Sequence, residues 1–156
     1  MAKLNFLEEE DPLAADPKLP DNRHGARQLA LQALYWAVTA SDKATTAVDQ
    51  LALQSELSAS TRDFATQLVV LVEDRNAELR ELIVQTSSNW REERISRIDG
   101  IILRLALAEI LFREDIPARV SIHQAVELAK AYSGEKSYAF VNGILDTIVR
   151  QKDIDL

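Results

Sequence analysis

The chain has 156 residues, of which 47% are hydrophobic and 28% charged, with a formal net charge of −7 and no cysteine. This length and composition are typical of a soluble globular protein of one domain with a substantial core. The missing cysteine excludes disulfides, thiolate nucleophiles and cysteine-ligated zinc. No apolar run approaches the roughly 18 residues of a membrane span, and the N-terminus lacks a secretory-signal pattern, so we expect a cytoplasmic protein.

The negative charge is concentrated in the first 21 residues. They hold six acids, two lysines and three of the four prolines, so this segment carries −4 and residues 22–156 carry −3. An acidic, proline-containing segment with few large apolar side chains does not recover the entropy lost on ordering. We therefore predict a disordered tail at 1–21, with partner binding by the tail as an alternative, and a folded domain at 22–156.

Apolar residues recur at helical spacing from residue 21 onward and predict three helices before residue 86. The repeating positions are Leu29, Ala33, Leu34, Ala37 and Val38 in the first; Val48, Leu51, Ala52 and Ser55 in the second; and Phe64, Leu68, Leu71, Val72, Arg75, Leu79 and Leu82 in the third. The third is predicted to be one long helix, capped by Ser58 or Ser60. The stretch TSSNW at 86–90 predicts a break, since serine and asparagine bond their own backbone.

A very apolar helix is predicted next. Ser96 or Asp99 can start it, and its sequence IILRLALAEILF at 101–112 is apolar on nearly all sides. A helix of this kind belongs at the centre of a bundle. Pro117 ends the linker that follows it.

The strongest local helix signal follows this linker. Ser121 with Gln124 predicts a capping box, and Val120 with Ala125 predicts a hydrophobic staple. Gly134 occupies the position of a left-handed helix cap.

A last helix is predicted at about 137–150, and no segment has the alternation of a strand. The sequence therefore predicts an all-α, single-domain bundle of six or seven helices.

Few residues suggest chemistry. The stretch GEKS at 134–137 resembles the end of a phosphate loop, but it lacks the earlier glycine and the preceding strand. His24 and His123 lie about a hundred residues apart without ligand spacing, so no metal and no cofactor is predicted. Glu109 is an isolated carboxylate on the very apolar helix. This favours a groove or interface, and an exposed helix edge is the alternative.

Four stretches, in chain order, closely resemble the NusB family of bacterial transcription antitermination factors. They are ARQLALQALY at 26–35, LRLALAEILF at 103–112, IPARVSIHQAVELAK at 116–130 and FVNGILD at 140–146. The resemblance covers about residues 23–150 and excludes the acidic tail. It implies a seven-helix fold that binds single-stranded boxA-type RNA together with NusE, a small-subunit ribosomal protein. It also implies a role, with RNA polymerase and other Nus factors, in reading through terminators of ribosomal RNA operons.

The resemblance also implies an RNA-facing segment at the start of the first helix. Arg23 and Arg27 match arginine positions of the family, and we include His24 in this predicted RNA-binding set. His24 and Gly25 stand where relatives often have arginine, so fewer phosphate contacts are expected here than in those relatives.

A second RNA-facing region is implied by the loop GEKSYAF. Lys136, Ser137 and Phe140 occupy the contacting positions, with Lys136 in place of the family's usual acid. The face of Phe140 can stack on an unstacked base, and a purely buried Phe140 is the alternative. Tyr35 and Glu109 match positions that face NusE.

Two other functions are compatible with the helical pattern. The same module precedes the catalytic domain of ribosomal RNA cytosine methyltransferases, but those enzymes use cysteines, and this chain has none and ends at Leu156. We therefore expect no enzymatic activity. The remaining alternative is an interaction protein with weak or no RNA binding, for example a homodimer that covers the RNA-facing surface.

Overall fold

The computed structural model describes residues 18–88 and 95–156. Within these ranges the chain forms seven α-helices and no strand, which confirms the predicted all-α fold. The helices are α1 Arg23–Ala40, α2 Ala44–Gln54, α3 Ala59–Asp74, α4 Asn76–Ser87, α5 Arg97–Phe112, α6 Ala118–Tyr132 and α7 Glu135–Gln151. The chain divides into two compact units, Met1–Val70 and Leu71–Leu156. The predicted disordered tail lies outside the described residues, except for its last four residues, 18–21.

Helix α1 is more deeply buried than its periodicity predicts. Every residue from Gly25 to Leu34 is buried, as is Trp36, whereas Val38 is exposed. The side-chain oxygen of Asn22 caps the helix by accepting a hydrogen bond from the Gly25 amide at 2.9 Å. Helix α2 packs against α1 within the first unit.

The segment that enters α1 is held against the connection between α2 and α3. Leu19 is buried, and its amide donates to Ser55 Oγ at 3.2 Å. A Cβ added at Gly25 would lie 1.7 Å from the carbonyl oxygen of Pro20, so this position tolerates no side chain. The end of the predicted tail therefore packs on the folded part of the chain.

The prediction of one long helix that carries Phe64 to Leu82 is wrong, because the helix breaks at Arg75. This residue has φ −105° and ψ 16° and separates α3 from α4. Its guanidinium lies 4.6 Å from the centroid of the Phe112 ring and pairs with Glu78 at 3.0 Å. No glycine or proline lies at the break. Instead, the residue at the break, Arg75, contacts the distant Phe112. Ser58 is confirmed as the α3 cap, since its Oγ accepts from the Thr61 amide at 3.4 Å.

Helix α5 is the central helix of the second unit, as predicted. It packs against α4, α6 and α7, and it is buried on nearly all sides. Ser96 is confirmed as its cap, because Ser96 Oγ accepts from the Asp99 amide at 3.1 Å. Among the described residues, no helix is long and apolar enough to cross a membrane.

The predicted capping box at Ser121 is wrong. Helix α6 begins at Ala118, directly after Pro117, whose fixed φ suits a helix start. Ser121 is therefore inside the helix, where it is buried and donates to Glu109 Oε1 at 2.8 Å. Val120, the predicted staple residue, is 37% exposed. The local capping signal was overridden by a tertiary contact, since a buried carboxylate requires a hydrogen-bond donor.

The connection between α6 and α7 is shorter than predicted, because α7 begins at Glu135 rather than near Ser137. Gly134 has φ 122° and ψ −177°, an extended conformation with positive φ rather than the predicted left-handed helical one. The amides of Ser133 and Gly134 both donate to the carbonyl of Ala129, which closes α6. A glycine is needed here because other residues rarely adopt such a φ.

We expect Ser121→Ala to lower the free energy of unfolding by about 1.5–3 kcal/mol, because the buried Glu109 carboxylate loses a hydrogen bond. Chemical denaturation monitored by circular dichroism measures this loss. Ser60→Ala, an exposed serine on α3, is the matched control and should change stability by less than about 0.5 kcal/mol. Equal midpoints for the two variants would refute the assigned role of Ser121.

Candidate nucleic-acid and partner interfaces

Two arginines of α1 lie over the same aromatic ring. The Arg23 guanidinium is 4.4 Å from the centroid of the Phe64 ring, and that of Arg27, one turn later, is 5.3 Å away. Contacts of a guanidinium with an aromatic face are worth about 0.5–2 kcal/mol, more where water is excluded. Phe64 is itself buried in α3, so the ring is a fixed support for both side chains.

The three predicted RNA-facing residues of this segment differ in exposure. Arg23 is exposed, His24 is half-buried and Arg27 is only 5% exposed. Gly25 is buried under the Pro20 carbonyl, so this position, where relatives often have arginine, cannot present a side chain here. Arg23 is therefore the most exposed cation of this segment, and phosphate binding by Arg27 stays a prediction that its burial disfavours.

The second predicted RNA-facing region is the first part of α7. Lys136 is exposed, and Ser137 is half-buried with its hydroxyl donating to Asp99 Oδ2 at 2.9 Å. Phe140 is 8% exposed, which favours the alternative in which its ring belongs to the core. Base stacking by Phe140 stays a prediction, and it would require more of the ring to become accessible.

Asp99 is a polar residue of this region that the sequence analysis interpreted only as a helix start. Its side chain is 6% exposed, and its two carboxylate oxygens accept hydrogen bonds from the hydroxyls of Ser133 and Ser137. The sequence feature that could have identified Asp99 is an acid on a very apolar helix, the same feature that identified Glu109 as a candidate. Its partners, 34 and 38 residues away, could not be assigned from spacing.

The two predicted partner-facing residues lie on α1 and α5. Tyr35 is half-buried on α1. Glu109 is 2% exposed, so the alternative of an exposed helix edge is wrong. The pKa of the Arg113 guanidinium is raised, mainly because Arg113 donates hydrogen bonds to the Asp115 carboxylate. The negative charge of the nearby Glu109 also contributes. Reversing the charge of Glu109 would therefore disturb the fold first, and contact of Glu109 with NusE stays a prediction.

No described residues form a group of three or more His, Cys, Asp or Glu side chains that could hold a metal ion. His123 is exposed on α6, and Lys136 and Ser137 of the GEKS stretch follow a helix rather than a strand. The described sites offer hydrogen-bonding and cationic groups for binding.

The described residues form an all-helical fold with an exposed cation at the start of α1 and another at the start of α7, features that suit a helical binding protein. The model of the NusB family matches residues 24–150, and the chain belongs to this family. The transcription antitermination protein NusB of Myxococcus xanthus is 46% identical over 135 residues, covering 81% of this chain and 93% of that protein. The NusB protein of Geobacter sulfurreducens is 42% identical over 127 residues, covering 81% and 92% respectively.

Two solved structures have the same fold. T. maritima NusB superposes with a TM-score of 0.75 at 30% identity, covering 86% of this chain and 93% of that chain. The antitermination factors NusB and NusE in complex with double-stranded RNA give a TM-score of 0.74 at 25% identity, covering 83% of this chain and 96% of that chain.

The hydrogen bonds that Asp21 accepts attach the segment before α1 to the start of α3, and they can be tested through the pKa of Asp21. Hydrogen bonds from Thr61, and then from the backbone and side chain of Ser58, lower the pKa of Asp21 from its ordinary value of 3.8. A lowered folded-state pKa contributes stability above the ordinary pKa, and this contribution is lost as the pH falls through the lowered value.

We therefore expect Asp21→Asn to lower the thermal midpoint at pH 7, where the parent carboxylate is ionised. The difference between variant and parent should shrink as the pH falls below 3.8, because the parent side chain becomes protonated. Asp49→Asn, an exposed acid on α2, serves as the control for the loss of one negative charge. A difference that is constant across pH would contradict the assigned contacts of Asp21.

Proposed function

We propose that this chain is a cytoplasmic, non-enzymatic transcription antitermination factor that binds boxA-type RNA together with NusE. In this role it helps RNA polymerase, with other Nus factors, to read through terminators in ribosomal RNA operons. The observation that carries the proposal is the 46% identity to a transcription antitermination protein NusB across 93% of its length. The related complex of NusB and NusE with RNA supports both partners.

We place RNA contacts at Arg23 in the first unit and at Lys136 in the second, the two exposed cations among the predicted RNA-binding residues. Arg23 is oriented by the Phe64 ring, and Lys136 stands in the first turn of α7 beside Ser137. His24 and Ser137 are half-buried and offer hydrogen bonds at the same two helix starts. Arg27 and Phe140 are buried, so they support these surfaces more than they contact RNA directly.

We expect few counterions to be released when the chain alone binds RNA. With two exposed cations, the slope of log affinity against log salt should be about −1.4 for single-stranded RNA. Lys136→Ala and Arg23→Ala should each weaken binding and make this slope shallower by about 0.7. Fluorescence anisotropy with labelled boxA-type RNA, over a series of salt concentrations, measures both quantities. Addition of NusE should tighten binding, since the partner contributes contacts of its own.

Arg62→Ala is the matched control for this experiment. Arg62 is an exposed arginine on α3 outside the predicted RNA surface, so its loss should leave the slope unchanged. The solved relative complex contains double-stranded RNA, so a duplex of the same sequence is titrated in parallel. Tighter binding of the duplex would correct the prediction that the RNA is single-stranded.

Absence of RNA binding even with NusE would reject the proposed function. It would favour the alternative of a protein-interaction module with weak or no RNA binding. Analytical ultracentrifugation of the chain would then test whether a homodimer covers the RNA-facing surface.

Contact with NusE is tested at Tyr35 rather than at the buried Glu109. Aromatic residues at the centre of an interface commonly contribute about 2 kcal/mol or more, so Tyr35→Ala should weaken NusE binding about thirtyfold. Leu53→Ala, an 81% exposed residue on α2, should leave the affinity unchanged. Isothermal titration with NusE measures both variants, after circular dichroism has shown parental melting. Equal affinities for both would remove Tyr35 from the interface.

A further inference from the structure

The buried carboxylate of Asp99 connects α5 to the junction of α6 and α7. Asp99 Oδ1 accepts a hydrogen bond from Ser133 Oγ at 2.7 Å, and Oδ2 accepts one from Ser137 Oγ at 2.9 Å. Both oxygens are thus engaged, and the acid is 6% exposed. Hydrogen bonds to an ionised acceptor are stronger than neutral ones. Residues 133–137, called here the junction segment, are therefore attached to the central helix at both ends.

The junction segment contains one residue with a permissive backbone. Gly134 has a positive φ, and a Cβ added there would meet nothing within 4 Å, so no tight contact surrounds this position. Backbone hydrogen bonds of the segment run to its own neighbouring helices, from the amides of Ser133 and Gly134 to the Ala129 carbonyl and from the Tyr138 amide to the Gly134 carbonyl. The contacts with Asp99 instead reach α5, which is buried on nearly all sides and is a fixed point of this unit.

Lys136 lies between the two attached serines. Its side chain is exposed, whereas the side chains that hold the segment point to a buried acid. A flexible lysine binds phosphate more tightly when its backbone is already in the bound position, because less ordering accompanies binding. The position of this cation therefore depends on Asp99.

The same geometry sets the hydrogen-bonding role of Ser137. A serine hydroxyl has one proton and two lone pairs, and the proton of Ser137 is donated to Asp99. The hydroxyl can therefore accept a hydrogen bond from RNA but cannot donate one to a phosphate oxygen. Its partner must be an N–H or O–H group, such as a base amino group or a ribose hydroxyl.

We propose that Asp99 is a positioning residue for RNA recognition, which holds Lys136 in place through Ser133 and Ser137 and makes Ser137 a hydrogen-bond acceptor. This inference rests on the proposed function and adds to it a residue that does not contact RNA. Ser133 has the same role, at the other end of the junction segment.

The test measures RNA affinity of Asp99→Asn in the presence of NusE. Asparagine keeps the shape of the side chain but cannot accept from both serines with both terminal atoms. If the binding-competent position of the segment falls to about a tenth of its population, affinity falls about tenfold. Ser133→Ala should also weaken binding, although Ser133 lies outside the RNA surface.

A double-mutant cycle separates positioning from general destabilisation. If Asp99 acts through Lys136, then Asp99→Asn should weaken binding much less in a Lys136→Ala background than in the parent. Ser96→Ala is the matched control, since it removes the cap of the same first turn of α5 without touching the two serines. This control should lower the melting temperature and leave RNA affinity unchanged.

Amide hydrogen exchange tests the attachment of the junction segment without RNA. The amides of Lys136 and Ser137 should exchange faster in Asp99→Asn than in Ser96→Ala, because only the former releases the junction segment. Parental affinity of Asp99→Asn, or an effect fully additive with that of Lys136→Ala, would overturn the positioning role. A parent chain that does not bind RNA with NusE would instead reject the proposed function, and unchanged exchange would reject the attachment itself.

Discussion

A central helix that is buried on nearly all sides must satisfy its polar side chains inside the protein. Helix α5 carries two buried acids, Asp99 in its first turn and Glu109 near its end. Each accepts hydrogen bonds from serine hydroxyls, Asp99 from Ser133 and Ser137 and Glu109 from Ser121. Unsatisfied buried carboxylates would be strongly destabilising, so these bonds constrain where α6 begins, where it ends and how α7 starts. The architecture of the second unit depends on this constraint.

The exposed cations of the two predicted RNA-facing regions are supported in different ways. The Arg23 guanidinium lies over an aromatic ring, whose face attracts its charge. Lys136 is held through its backbone, between two serines that are attached to an acid. In both cases a buried residue of another helix sets the position of the charge. Each predicted RNA-facing region therefore depends on core packing, and loss of buried contacts is expected to alter it.

The start of α1 illustrates how one position can serve the fold at the expense of a binding contact. The family resemblance presents Gly25 as a lost arginine, whereas in the structure the carbonyl of Pro20 occupies the space of a side chain. The entering segment is in turn held by Leu19 and Asp21 on the α2–α3 connection. The small size of this residue thus has a packing cause.

The sequence by itself determined the all-α class and the central position of α5, and it narrowed two helix caps to Ser58 or Ser60 and to Ser96 or Asp99, because these follow from local periodicity and local hydrogen bonding. The break at Arg75 and the role of Ser121 were decided by tertiary structure. In each case a contact with a residue distant along the chain, Phe112 or Glu109, accompanies the departure from the local pattern. The same reason explains why Asp99 was interpreted only as a helix start and why Arg27 and Phe140 were expected at the surface. Burial and long-range partners are properties of the packed chain, and residue spacing does not contain them.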